Sequence, residues 1–281
     1  MSENRDAAVQ QAQAWTALAT RVLAPNPGPV TLDGTNTYVV RQPGSAGVVV
    51  IDPGPDEASH LHRIATFGDV ELILLTHHHL DHSESARRLS VVHGAPVRAF
   101  DADLCESGRA LVDGEEIHAG GTRIRVVSTP GHTSDSTSFH LPDDRDPVTG
   151  SAADSVLTGD TVLGRGTSII ATPDGSLRQY CASLELLATF GSAVVLPGHG
   201  PALPDISQVS RRYLRHRLER LRQVQSAVAA LSAAGAEVTV ASVADVVYPD
   251  VSADLRFAAE ATVTAQLEYL AERTDVPQWD A

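Results

Sequence analysis

Short Val- and Leu-rich runs recur along the N-terminal two-thirds of the chain, bounded by Gly, Pro and Asp. They predict strands over Thr37–Val40, Val48–Ile51, Val70–Leu75, Arg123–Val127, Ser136–Leu141, Ser155–Leu157 and Ala193–Leu196, because β-branched runs bounded by turn residues fit a pleated, buried surface. Apolar positions at helical spacing lie between some of them, over Glu57–Thr66, Ser83–Val92 and Ser176–Phe190. Strands mixed with helices in this way predict layered sheets covered by helices, an α/β fold. The polar, turn-rich stretch PDDRDPVTGSAAD (Pro142–Asp154) predicts an exposed insertion. Beyond Pro204 the pattern turns helical, with a long 3.6-residue period over Asp205–Ala234 and shorter runs near Val240–Val247 and Ala253–Glu272. We therefore expect two units, residues 1–204 and a small helical unit over residues 205–281.

Composition narrows the class. At 281 residues and 42% hydrophobic content the chain can fill a real core, although aromatics make up only 4%. No apolar run reaches the roughly 18 residues of a membrane-spanning helix. Met1–Thr20 is polar and Ala-rich and lacks the basic start, apolar centre and cleavage site of a secretory signal. A cytoplasmic location without a membrane partner is the expectation. Cys105 and Cys181 stand far apart with no C-x-x-C partner and are expected as reduced, buried thiols. All 21 basic residues are Arg, and the net charge of −14 argues against broad electrostatic capture of nucleic acid. Nothing in the sequence specifies a protein partner or an oligomeric state.

The candidate chemistry lies at strand ends. LILLTHHHLDHSE (Leu72–Glu84) runs out of an apolar strand into His77, His78, His79, Asp81 and His82. His132 in STPGHT and His199 in VLPGHG each follow a strand through the same Pro-Gly-His, and LTGDT places Asp160 after another. Imidazole nitrogen and carboxylate oxygen suit zinc and other first-row divalent metals. The set His77, His79, Asp81, His82, His132, Asp160 and His199 exceeds one tetrahedral site and suits two ions sharing a carboxylate. His78 lies between ligands, where alternation points it elsewhere, and is left out. For His60, His62, His93, His118, His140 and His216 the ordinary reading as surface-loop histidines stands as the default.

THHHLDH, TPGHT, LTGDT and LPGHG resemble, in order and spacing, the ligand motifs of the metallo-β-lactamase superfamily. The resemblance implies an αββα sandwich with the metals at one edge of two facing sheets. It also implies that His77, His79 and His132 bind one ion, that Asp81, His82 and His199 bind the other, and that Asp160 bridges them. NPGPVTLDGTNTYVV (Asn26–Val40), GDTVLGRGT (Gly159–Thr167) and YLRHRLERL (Tyr213–Leu221) are similar to the β-lactamase-like protein 2 group. That group adds a C-terminal winged-helix-like domain, and its members include single-strand-specific endoribonucleases beside related thioesterases. TDVPQWDA (residues 274–281) follows closely on the last predicted helix, so an incomplete wing is expected.

Two divalent ions, zinc foremost, would lower the pKa of a shared water from about 15.7 toward about 7 and supply hydroxide as nucleophile. Asp81 would orient it, and a metal-bound water or Asp81 would protonate the leaving group. The expected function is a binuclear metal-dependent hydrolase acting on single-stranded RNA or on an acyl thioester, as hydroxyacylglutathione hydrolases do. A mononuclear-iron sulfur dioxygenase and a β-lactamase rank lower. Two-zinc secreted lactamases commonly carry Cys where Asp160 stands, and His79 occupies the position at which flavodiiron reductases carry Glu. A final candidate lies on the Arg-rich helix. Arg211, Arg215 and Arg222 fall on one stripe at 100° per residue. Either that stripe or the neighbouring His216 and Arg217 is expected to line a groove beside the metals and hold phosphates, unless the stripe is merely a solvated face.

Overall fold

The computed structural model describes residues 12–272. The tail stretch 274–281 and the first eleven residues of the segment read for a targeting signal lie outside the described residues. Among the described residues, eleven strands form two sheets. The first has the order β1 (Ala12–Ala14), β2 (Ala19–Leu23), β3 (Asn36–Val40), β4 (Gly47–Ile51), β5 (Asp69–Leu74), β6 (Val97–Arg98). Its strands are antiparallel up to β4, and β4, β5 and β6 run parallel. The second sheet joins β7 (Glu116–Ala119), β8 (Thr122–Ser128), β9 (Thr137–Leu141), β10 (Ser155–Gly159) and β11 (Val194–Pro197), with only β10 and β11 parallel.

β4 shows why the sheets face each other. Val49 and Ile51 point into a core shared with Ile124, Val126, Phe139 and Leu157 of the second sheet. Val48 and Val50, one residue out of phase, pack with Leu61, Ile64, Ala86 and Leu89 of the covering helices. Those helices are α1 (Ala58–Ala65) and α3 (Ala86–His93), with the single turn α2 (Leu80–Ser83) between β5 and α3. On the far side α4 (Leu177–Leu187), capped by the Ser176 hydroxyl, buries Leu177, Tyr180, Cys181, Leu184 and Leu187. Burying one such side chain is worth about 1.5–3 kcal/mol. The result is the αββα sandwich.

After the sandwich come α5 (Ile206–Ala233), α6 (Val240–Val247) and α7 (Arg256–Ala271). The start of α5 (Ile206, Val209, Tyr213, Leu214) packs with α4 over the second sheet. Its later part adds Val224 and Ala227 to a separate cluster with Val243, Ala244, Val247 and Val263. Among the described residues of this region there is no strand, so the structure gives no wing. No helix among the described residues is long and apolar enough to cross a membrane. Both cysteines are free, Cys181 buried and Cys105 partly exposed.

Two expectations need correcting. The Pro142–Asp154 stretch is exposed at its tip but anchored at its base. Asp144 is buried, accepts from Leu18 N–H at 3.1 Å, and takes the Ser155 hydroxyl on its other oxygen at 2.5 Å. His60 is no surface-loop histidine: α1 buries it completely, with Nε2 2.9 Å from the Thr37 hydroxyl. His140 is buried as well, 2.9 Å from Asp154.

Candidate metal centre

The ligand motifs lie where strands end at one edge of the sandwich. After β5 the chain bends at Thr76 and His78, and His77 and His79 both reach the cluster from this short connection. α2 then coils back and returns Asp81 and His82 to the same point. His132 follows β8, Asp160 follows β10 and His199 follows β11. The Pro-Gly-His echo has a steric reason. A Cβ on Gly198 would stand 2.4 Å from Asp160 Oδ1 and 2.8 Å from His82 Cε1, so only glycine lets this turn lie against the donors. Gly131 has φ +136° and backs onto the Tyr180 backbone, where a Cβ would come within 2.2 Å.

Seven donor side chains converge. His77 Nε2 and His79 Nδ1 are 3.0 Å apart, and His132 Nε2 lies 3.1 Å from His79 Nδ1. A second triad has His82 Nε2 3.2 Å from His199 Nε2, and Asp81 Oδ2 3.1 Å from His199 Nε2. Asp160 sits between them, with Oδ2 3.8 Å from His132 Nε2 and 3.4 Å from His199 Nε2, and Oδ1 3.4 Å from His82 Nε2. Donors around a tetrahedral ion at about 2.0–2.1 Å stand about 3.3–3.4 Å apart, so these spacings fit metal coordination. Asp160 Oδ1 is buried and has no hydrogen-bond partner, an orphaned acceptor aimed into the cluster.

The outer nitrogens are fixed. His82 Nδ1 donates to Asp52 Oδ2 at 2.9 Å, His132 Nδ1 to the Ile169 carbonyl at 2.8 Å, and His199 Nδ1 to the Gly34 carbonyl at 3.1 Å. His77 Nδ1 lies 3.0 Å from the Thr76 hydroxyl, which donates to Asp52 at 2.7 Å. Each contact leaves the inner nitrogen bare toward the cluster.

Electrostatics separate the two triads. Burial, with the neighbouring imidazoles, holds His77 well below its ordinary value and His79 down at about 4, so both are neutral donors. Burial also pushes His82 and His199 down, but the carboxylates outweigh it. Asp160, Asp81 and Asp52 hold His82 well above the usual range, and Asp160 and Asp81 bring His199 up to about 9. Asp160 itself, raised by burial, is held well below the carboxylate range by His199 and His82. The second triad thus concentrates negative charge that a divalent ion would balance.

Residues 30–199 match the model of the Metallo-beta-lactamase superfamily. The chain belongs to that superfamily. Among relatives of this metallo-beta-lactamase superfamily member, the Beta-lactamase-like protein 2 homolog of Caenorhabditis elegans is 27% identical over 264 residues, covering 89% of this chain and 83% of that protein. The Atrochrysone carboxyl ACP thioesterase of Aspergillus fumigatus is 32% identical over 212 residues, 70% of this chain and 62% of that protein. This chain therefore spans only part of the fungal relative's length. In structure, a beta-lactamase domain protein from Burkholderia ambifaria matches 92% of this chain and 88% of its own with a TM-score of 0.75 at 20% identity, a likeness of fold.

Five of the seven donors, His79, Asp81, His132, Asp160 and His199, line a cavity of about 730 Å³, with His77 and His82 buried behind them. His216 and Arg217 line it, joined by Arg220. Arg211 and Arg215 do not. They border a separate depression of about 300 Å³ with Leu203, Pro204 and Gln208, and Arg222 is exposed. The groove expectation therefore fails for the stripe, because the helix turns that face away from the donors. His78 turns toward Asp135 at 2.9 Å instead of joining the cluster.

Sequence reading missed Asp52 and Asn36. Asp52 ends β4 in IDPG, much as Asp160 ends β10 in LTGDT, and that likeness was the available signal. Asn36, inside the quoted DGTNTYVV motif, donates to the carbonyls of Pro197 at 2.9 Å and Gly200 at 2.8 Å, clamping the turn that carries His199.

Proposed function

We propose that this protein holds two divalent ions, zinc foremost, and hydrolyses acyl thioesters whose acyl group is large and apolar. His77, His79 and His132 would hold one ion, Asp81, His82 and His199 the other, with Asp160 between them. When bound, such ions polarise a carbonyl and make water a competent nucleophile near neutral pH. The observation that carries the substrate class is the cavity wall. Val30, Leu32, Leu163, Ile169, Val251 and Phe257 line it, giving a thioester's apolar body somewhere to bury. Asp81, 29% exposed, is the cluster's most accessible carboxylate and would take a proton from the attacking water. A thiolate, with a pKa near 8.5, leaves with little help from an acid. The similarity to a protein named as an ACP thioesterase supports the same class. His216 and Arg220 on the wall favour a second reading, single-stranded RNA, against which the net charge of −14 weighs.

The test is a panel on metal-replete protein, with acyl-CoA and acyl-glutathione thioesters of rising acyl size, single-stranded RNA, a lactone and a β-lactam. Elemental analysis accompanies it. We expect thioester turnover that rises with acyl size, close to two ions per chain, and negligible lactam hydrolysis. RNA cleavage without thioester turnover overturns the substrate class. One iron and no zinc overturns the two-ion hydrolase.

A further inference from the structure

We propose that Arg217 and Tyr213 of α5 are positioning residues for the metal centre, holding the loop that carries Asp160 and the carbonyl on which His132 rests. The proposal depends on the donor set binding metal and not on the identity of the substrate.

Residues 160–169 contain no helix or strand, and two glycines, Gly164 and Gly166, loosen them further. A segment without ladder hydrogen bonds owes its shape to outside partners. Some of those partners are neighbouring loop and strand-end groups, such as the His199 carbonyl that accepts Gly164 N–H at 2.8 Å and the Thr158 hydroxyl that donates to the Val162 carbonyl at 2.9 Å; the others are helical side chains from beyond the second sheet. The Tyr180 hydroxyl of α4 donates to the Thr161 carbonyl at 2.7 Å. The Tyr213 hydroxyl lies 2.9 Å from the Leu163 carbonyl and 2.8 Å from the Gly166 carbonyl, and accepts Leu163 N–H at 3.2 Å. One turn further along α5, Arg217 Nη2 donates to the Ser168 carbonyl. The Ser168 hydroxyl in turn donates to the carbonyl of Asp160 itself. The next carbonyl, that of Ile169, receives His132 Nδ1–H. Ser168 and Ile169 therefore link Arg217 to Asp160, between the triads, and to His132 of the first.

Arg217 is an unusual choice for such a contact. It is 2% exposed, it forms no ion pair among the described residues, and its Nε has no hydrogen-bond partner. Its charge rests on the Ser168 carbonyl and on the face of Tyr180, 5.0 Å from the ring centroid. Burying a cation without a carboxylate is costly, and an apolar side chain would pack there at lower cost. A guanidinium earns its place by reaching a backbone carbonyl with fixed, planar geometry.

The test compares Arg217→Met, Arg217→Lys and Tyr213→Phe with the parent. Zinc affinity is read by chelator competition, the ligand field by the visible absorption of the cobalt-substituted protein, and thermal stability without metal alongside. Loss of partners behind metal ligands typically weakens affinity by about 10–100-fold. We expect a loss in that range for Arg217→Met, a shifted cobalt spectrum, and partial recovery in Arg217→Lys. Tyr213→Phe, which keeps the ring, should show a smaller loss in the same direction and serves if Arg217→Met does not fold. Unchanged affinity and spectrum in the variants overturn the proposal. If KM for an anionic thioester rises alone, Arg217 contacts substrate; if apo stability falls alone, its role is structural. A parent that binds no metal overturns this proposal and the hydrolase reading together, whereas a parent that binds metal but lacks thioesterase activity overturns only the latter.

Discussion

Replacing Asp52 with Asn keeps the shape of the side chain and removes both its charge and one acceptor. Three hydrogens converge on Asp52: Thr76 N–H at 2.8 Å, the Thr76 hydroxyl at 2.7 Å and His82 Nδ1–H at 2.9 Å. An amide has a single acceptor oxygen. If that oxygen faces His82, the amide NH2 points at Thr76 N–H, donor against donor. If the amide flips, His82 must move its proton to Nε2, the nitrogen directed at the donor cluster. Either arrangement loses a charge-assisted hydrogen bond in a buried site, about 1–3 kcal/mol. Converted at about 1.4 kcal/mol per decade, that is a loss of about 5- to 150-fold in affinity for the ion at His82. Titration with zinc against a chromophoric chelator reads it, and excess zinc should restore hydrolysis. Affinity equal to the parent's for both ions would show that Asp52 does not set the tautomer of His82, and the reasoning would fail.

Further outcomes follow from single contacts. Gly198→Ala should strip metal at micromolar chelator while the fold survives, because its methyl would lie 2.4 Å from Asp160 Oδ1; circular dichroism beside elemental analysis checks both halves. Phe257→Ala, at the cavity wall and 60% exposed, should raise KM for bulky acyl thioesters about tenfold and leave short ones alone, since roughly 1–3 kcal/mol is what such a wall discriminates. Burial, with Arg63 nearby, lowers His60 to about 4. Below about pH 6.5 the unfolded chain binds this proton first, so stability present at neutral pH is lost as the pH falls toward 4. That amounts to about 2 kcal/mol between pH 7 and pH 5, and denaturant melts of metal-loaded His60→Gln should show a shallower decline than the parent.

The strands and helices that could be read in advance are those whose own residues announce them. β4 (GVVVI) and α4, with Ser176 ahead of an apolar period, stand nearly where the pattern put them. β1 (AQA), β6 (two residues) and β7 (EIHA) carry no such signal, because short edge strands draw their pairing from a neighbour and not from their own composition. The same divide runs through the site. The metal-ligating residue types cluster at recognisable spacing, and the seven do converge. Asp52 and Asn36 were invisible as partners because their work is done across 30 and 161 residues of chain, on His82 and on the Pro197 carbonyl. The Arg stripe misled for a related reason: periodicity finds a face of a helix but not what the face looks at.

α5 is one unbroken helix of 28 residues, about 42 Å at 1.5 Å per residue. Its first turns are embedded in the layer over the second sheet, and its last turns are embedded among α6 and α7. A rod anchored in two cores makes their melting interdependent, since neither can dissolve without fraying the helix that the other has ordered. The tail is therefore coupled to the sandwich in cooperativity as well as in space. Calorimetry on the whole protein should show a single endotherm, and a substitution deep in the tail, such as Val243→Ala, should lower the melting of residues near the donor cluster that it never touches.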